Sequence, residues 1–273
     1  MSVFTSVFAL LVSRLADLID PVFAASATAV AIVLFTALIR VAMHPLTRAA
    51  FRGERARAAL APRLAELKRR HAGPRQAERL QKEVLALHAE AGVRPLAGIL
   101  PMLVQLPVFF VMYQVFSSSR VGGEVNELLG HRLFAAALGD RWMDAVGEGG
   151  VFGAPGLVFI GLFAAIAAVA GWTVLRARRA AAAGDGPAAL ATAAGAGTAG
   201  RAGAEVPGAA AMQRLVKVMP LLAFGTLVTA AFVPLAAGLY LLTTTAWTAA
   251  ERAWLQHRWA KAEANGGAAA AVA

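Results

Sequence analysis

The chain has 273 residues, 59% of them hydrophobic and only 15% charged, with a mean hydropathy of +0.63. Soluble domains carry about a quarter charged residues, so the composition excludes an ordinary soluble domain and reads as a multi-span membrane protein. The net charge of +10 suits anionic lipid or nucleic acid, and the apolar spans favour lipid over DNA; the absence of Cys excludes disulfides, thiolate metal sites, Cys nucleophiles and a lipid anchor on Cys.

At the N-terminus Phe4, Phe8, Leu11, Leu15 and Leu18 recur at helical spacing, which predicts an amphipathic helix lying at the membrane interface. No Lys or Arg precedes Arg14, and Arg14 and Asp17 interrupt the apolar run, so the start does not read as a signal peptide. The first span is 24–43, with one charge, Arg40. Segment 46–93 is polar but patterned. Leu60, Leu64 and Leu67, then Leu80, Val84 and Leu87, repeat at i, i+4, i+7 on either side of His71-Ala-Gly-Pro74. That pattern predicts a cytoplasmic helical hairpin, with Pro62 in the first turn of a helix. Its charge suits a solvated surface and a site for lipid headgroups or ribosomal RNA equally well.

Spans at 97–116 and 155–175 carry no charge. Residues 180–211 are Ala/Gly-rich and read as a flexible linker. Val218–Ala250 is a further charge-free run, with Pro234 at its middle. One helix of that length would reach about 50 Å against a hydrocarbon core of roughly 30 Å. Two spans, 212–233 and 234–258, joined by a tight turn over Phe232–Ala237, fit better. Residues 259–273 read as a disordered cytoplasmic tail. The expected fold is therefore an all-α membrane protein of five transmembrane helices, with a five-span core over 1–258.

Lys and Arg set the orientation. Segment 44–96 holds 12, segment 176–217 six and segment 251–273 three, whereas the opposite side holds four: Arg14, Arg120, Arg132 and Arg141. This predicts the N-terminus outside and the C-terminus in the cytoplasm.

No Walker P-loop or HExxH pair is present, and the four apolar runs contain no Asp or Glu. An enzyme is not expected and no cofactor is called for. Arg40 admits two readings: snorkelling to the headgroups, or, with Thr36 one turn deeper on the same face, the lining of a water-filled groove. Tyr240, Thr244 and Thr248 follow i, i+4, i+8 in the last span. Thr226 and Thr229 share a face in the one before. Gln105 and Gln114 are about half a turn out of phase, so both cannot line one groove. Pro101, Pro107, Met102, Leu106, Phe109, Phe110 and Met112 make 97–116 kinked and rich in Met and Phe. That composition suits a surface for varied apolar ligands, and also a plain lipid-facing helix. An Arg-based anion transporter or channel is the competing reading; no inverted repeat supports it.

The string FTALIRVAMHPLT (35–47) resembles the first core span of the YidC-type membrane protein insertases, relatives of the mitochondrial Oxa and chloroplast Alb insertases. VRPLAGILPMLVQLPVFFVMY (93–113) is similar to their NPL and P-x-L-x-Q-x-P-x-F pattern, with Arg94 in place of Asn. LAPRLAELKRRH (60–71) resembles the start of their cytoplasmic hairpin, and FVPLAAGLYLLTTT (232–245) their last turn and span, with Thr244-Thr245 where a small residue and Asn are usual. The segment 119–154 matches weakly. The resemblance implies an insertase and chaperone of the bacterial inner membrane that works without nucleotide hydrolysis. Its clients would be nascent membrane proteins, with the Sec translocon, the ribosome and anionic lipids as further partners. It implies a hydrophilic groove at Arg40, Thr36, Tyr240, Thr244 and Gln105, and an apolar slide for the client span at Met102, Leu106, Phe109 and Met112.

Overall fold

A computed structural model describes residues 2–23, 26–71, 76–91, 100–121, 124–182 and 224–272. The His71–Pro74 break beyond His71, nearly all of the 180–211 linker and the first half of the 212–233 span lie outside the described residues. So do the side chains of Met102 and Gln105.

The chain is mostly helical. In order come α1 (Ser2–Phe23), α2 (Ala27–Arg70), α3 (Ala77–Glu90), α4 (Leu100–Ser117), α5 (Trp142–Gly149), α6 (Ala154–Ala182), α7 (Gly225–Phe232) and α8 (Leu235–Val272). Between α4 and α5 lie four two-residue strands, the exceptions in an otherwise all-α chain. β1 (Arg120–Val121) pairs antiparallel with β2 (Glu124–Val125), and β3 (Arg132–Leu133) with β4 (Ala136–Ala137). Strands this short give almost no alternation to read. Within the described residues, two stretches are long and apolar enough to cross a membrane, Ala27–Ala56 and Ala154–Arg179.

Two compact units result: residues 1–41 with 107–273, and residues 42–106. The chain passes between them twice, each time inside a helix beside a proline. One passage is four residues before Pro45, whose ring cannot donate to the Val41 carbonyl; the other is at Pro107.

The core of the larger unit is built from small and large apolar side chains in alternation. Val12 and Ala16 of α1, Ile32 and Phe35 of α2, Val111, Met112, Val115 and Phe116 of α4, and Phe159, Leu162 and Ile166 of α6 are all buried. Rings meet edge-on at Phe8 and Phe35 (5.6 Å) and at Trp142 and Phe163 (5.3 Å). The expected apolar stripe on α1 divides. Phe8 and Leu15 join Val12, Ala16 and Ile19 against the core, whereas Leu11 and Leu18 are exposed with Val7 and Val22. At a membrane interface an apolar side chain can face lipid as well as the core, so apolarity alone does not say which stripe packs.

The helix breaks where Pro234 predicts: α7 ends at Phe232 and α8 begins at Leu235. The freed donors at the start of α8 are taken by the 118–153 connection. Leu235 N donates to the Asp140 carbonyl and Ala236 N to that of Leu138, both at 2.9 Å. Asp140 is itself held, its Oδ2 accepting from Ala137 N at 2.9 Å. Buried Asn126 anchors the connection, Nδ2 donating to the carbonyls of Val115 (2.7 Å) and Ser118 (3.0 Å) at the end of α4. Small residues follow the turn. A Cβ on Gly238 would stand 2.6 Å from Leu162 Cδ2, so α8 approaches α6 closely there.

In the smaller unit, Phe51 and Leu60 are buried, and Leu64, Leu67, Leu80, Val84 and Leu87 are half-buried. His71 Nε2 lies 3.4 Å from Glu83 Oε1 of α3. Pro62 is inside α2 rather than in its first turn, because α2 continues unbroken from the first apolar stretch to Arg70. A helical proline removes only local hydrogen bonds, which a bend accommodates. The last helix likewise runs to Val272, through the segment 259–273 read as an unstructured tail. Ala, which dominates that segment, is the strongest helix former.

Candidate functional site

On α2, Ala29, Ile32, Phe35 and Thr36 form the buried stripe, while Leu34, Leu38 and Val41 are exposed on another side. Arg40 follows Thr36 by four residues, so it prolongs the buried stripe. Arg40 is half-buried, and α8 carries two buried polar residues, Tyr240 and Glu251. Those two are eleven residues apart on one face of α8, about 16 Å along the axis. Thr244 and Trp247 lie between them and share that face.

This face is polar and enclosed. Glu251 is only 9% exposed. Thr244 Oγ1 and Trp247 Nε1 are buried and have no hydrogen-bond partner among the described residues. Neighbouring threonines behave differently. Thr243 donates to the Leu239 carbonyl (2.8 Å), Thr245 to that of Leu241 (2.8 Å) and Thr248 to that of Thr244 (2.8 Å), the usual return of a helical hydroxyl to its own backbone. An unpaired buried donor costs about 1–3 kcal/mol, so two together mark a place that suits a polar ligand.

Thr36 is buried in the core, its hydroxyl committed to the Ile32 carbonyl at 2.7 Å, so it offers no free donor beside Arg40. Thr229 is spent similarly on the Gly225 carbonyl.

Tyr240 joins this polar face to an apolar one. Its buried ring lies 6.2 Å from both Phe109 and Phe116. A small apolar cleft of about 30 Å³ is lined by Phe109 and Tyr113 of α4, Thr229 and Val233 near the turn, and Ala237, Tyr240 and Leu241 of α8. Phe109 (41% exposed), Phe110 and Tyr113 (44%) form the open side of α4, and Leu106 is also exposed. Met112, expected on the same surface, is fully buried with Val115 and Phe116 and belongs to the core. In helical phase Met112 falls between Val115 and Phe116, but in a helix apolar all round the periodicity does not say which face packs.

Glu251 escapes the sequence reading because the charge-free run ends at Ala250, which places Glu251 just beyond the apolar stretch, and Trp247 because an indole in an apolar run reads as apolar. The spacing 240, 244, 247, 251 is nevertheless i, i+4, i+7, i+11, a helical stripe visible in the sequence.

Comparison with known proteins supplies the family. A family model described as 60Kd inner membrane protein matches residues 21–262. The chain is 39% identical over 90 residues to a protein of Chloroherpeton thalassium named membrane protein insertase YidC, covering 33% of this chain and 15% of that one. It is 38% identical over 86 residues to the protein of the same name from Acidiphilium cryptum, 32% of this chain and 14% of the relative. It is also 39% identical over 97 residues to the inner membrane ALBINO3-like protein 2, chloroplastic, of Chlamydomonas reinhardtii, 36% of this chain and 22% of that one. The aligned segments thus span 14% to 22% of these relatives' lengths. With nearly its whole length matched by the family pattern, the chain belongs to the 60Kd inner membrane protein family, that of the YidC-type insertases.

Proposed function

We propose that this protein inserts other membrane proteins into the bilayer of a bacterial cell, taking the polar segment of a client into a groove at Arg40 and releasing the client's span along an apolar surface. The observation that carries this reading is the enclosed polar face of α8, from Tyr240 through Thr244 and Trp247 to Glu251, ending at an apolar cleft. A polar segment crossing hydrocarbon unassisted loses its hydrogen bonds to water. Donors at Thr244 and Trp247 would replace part of that loss. A cation held at lowered dielectric attracts an acidic segment more strongly than one in water. Neither step consumes a nucleotide.

The open side of α4 at Phe109, Phe110 and Tyr113 is the surface along which the client's span would leave. Five spans, with 46–93 as a cytoplasmic hairpin, place the N-terminus outside and the C-terminus inside. The basic cytoplasmic segments would meet anionic lipid and dock the ribosome or the Sec translocon that delivers nascent chains.

The test is insertion into vesicles reconstituted with the full chain, followed by protease protection of the client's translocated tail. Arg40→Ala should impair clients with acidic tails and spare neutralised ones, and Arg40→Lys should be milder. Equal insertion of both by the Ala variant, at normal protein levels, would rule out the charge mechanism. Single Cys probes at positions 5 and 130 should label from outside, and those at 60–90 and 262 from the cytosol.

A further inference from the structure

Phe134 stands where neither its backbone nor its ring gains anything from this chain. It is the first of the two turn residues that join β3 to β4, and its φ is 52°. A bulky side chain rarely adopts that left-handed region, and two-residue hairpin turns usually place Gly there. Leu133 beside it packs against the core, whereas Phe134 is 77% exposed. A strained backbone that displays an aromatic ring to the outside points to a role for the ring beyond the fold.

The surroundings say what meets it. The Leu138 and Asp140 carbonyls accept from Ala236 N and Leu235 N, which keeps the hairpin beside the break between α7 and α8. At that break Phe232, the last residue of α7, is 73% exposed. It follows exposed Val228 by four residues, so an open apolar stripe runs to the end of α7. Phe152, 83% exposed, lies two residues before Ala154, where the apolar stretch Ala154–Arg179 begins. That stretch is long enough to cross a membrane and continues the open apolar surface at Leu157. The exposed rings thus stand at the ends of helices whose open sides are already apolar. Phe lacks the N–H or O–H that keeps Trp and Tyr at headgroup level, so it suits the acyl chains just beneath.

We propose that Phe134 and Phe152 form a lipid-docking surface, both rings entering the outer leaflet just below its headgroups. The partner is the lipid surface itself, rather than a client or a second copy of this chain. Docked in this way, the 118–153 connection holds the start of α8 at a fixed depth through the Leu138 and Asp140 carbonyls. The proposal rests on the spans and orientation given above.

The chain has no Cys, so Phe134→Cys, Glu148→Cys, Phe152→Cys and Leu157→Cys can each carry one bimane fluorophore. The full chain is reconstituted in phosphatidylcholine vesicles, and two quenchers are compared: aqueous iodide, and phosphatidylcholine bearing a nitroxide near the top of its acyl chain. Positions 134 and 152 should lose most of their emission to the nitroxide lipid and little to iodide. Position 148, an exposed polar site on α5, should show the reverse, and 157 should respond to the lipid alone. Iodide quenching at 134 as strong as at 148, with 157 still quenched by lipid, overturns the docking surface and leaves the spans in place. Protection of 134 from both quenchers also overturns it, because protein would then cover the ring. If iodide reaches 157, the span reading fails and the proposal with it. Should the variant at 134 accumulate poorly, position 152 decides by the same comparison. In intact cells a membrane-impermeant thiol reagent should reach position 148 from outside; labelling only in inverted vesicles overturns the outer-leaflet assignment.

Discussion

Arg176 of α6 donates from both Nε (3.0 Å) and Nη2 (2.8 Å) to Oε1 of Gln256 on α8. Nη2 also reaches the Ala253 carbonyl at 3.2 Å, and the guanidinium lies 5.6 Å from the centre of the Trp172 ring. The pair ties α6 to the half of α8 that carries Glu251. Arg176→Ala should therefore lower stability by about 1–3 kcal/mol, read as a lower midpoint of thermal unfolding in detergent. Arg176→Lys should recover only part of it, since an ammonium cannot reproduce the planar fork. Equal midpoints for the Ala variant and wild type would show that the pair contributes nothing measurable.

The threonine run of α8 offers an internal control. Thr244→Val should leave thermal stability unchanged or slightly raised, because it removes a buried hydroxyl without a partner. It should slow client insertion if that hydroxyl meets the client. Thr243→Val should be neutral in insertion, since the Thr243 hydroxyl already bonds the Leu239 carbonyl. Identical insertion by both variants would remove Thr244 from the groove.

Photocrosslinking distinguishes the two sides of α4. A crosslinking amino acid at 109, 110 or 113 should capture a client's span, and one at 112 should not, because Met112 is enclosed in the core while Phe109, Phe110 and Tyr113 are open. Capture from position 112 alone would place the exit surface elsewhere.

The close approach at Gly238 predicts a reciprocal pair. Gly238→Val should cost about 1–3 kcal/mol through overpacking against Leu162. Adding Leu162→Ala should recover part of that loss, because it vacates the atom the new side chain meets. A double variant less stable than both single variants by their full sum would show that the two positions are uncoupled.

Asn126 should be indispensable to the connection above α8. Asn126→Ala removes the donor to the Val115 and Ser118 carbonyls and leaves a buried acceptor unpaired. The expected cost is about 1–3 kcal/mol, together with faster proteolysis within 118–140. Unchanged proteolysis would show that the strand pairs hold the connection without it.

Much of this molecule is legible in one dimension. The missing charges announce a membrane protein, Pro234 announces the break between α7 and α8, and Arg40 stands out because a charge in an apolar helix needs a reason. Tertiary structure decided what periodicity could not. A helix that is apolar on every side carries no record of which side packs, so only the fold places Met112 in the core and Tyr113 outside it, or divides the stripe of α1. Burial of Glu251, the Arg176–Gln256 pair across 80 residues of chain, and the carbonyls of Leu138 and Asp140 at the start of α8 are likewise contacts between segments distant in sequence. Local sequence sets helix and turn propensities, but partners far along the chain are chosen only when the helices pack.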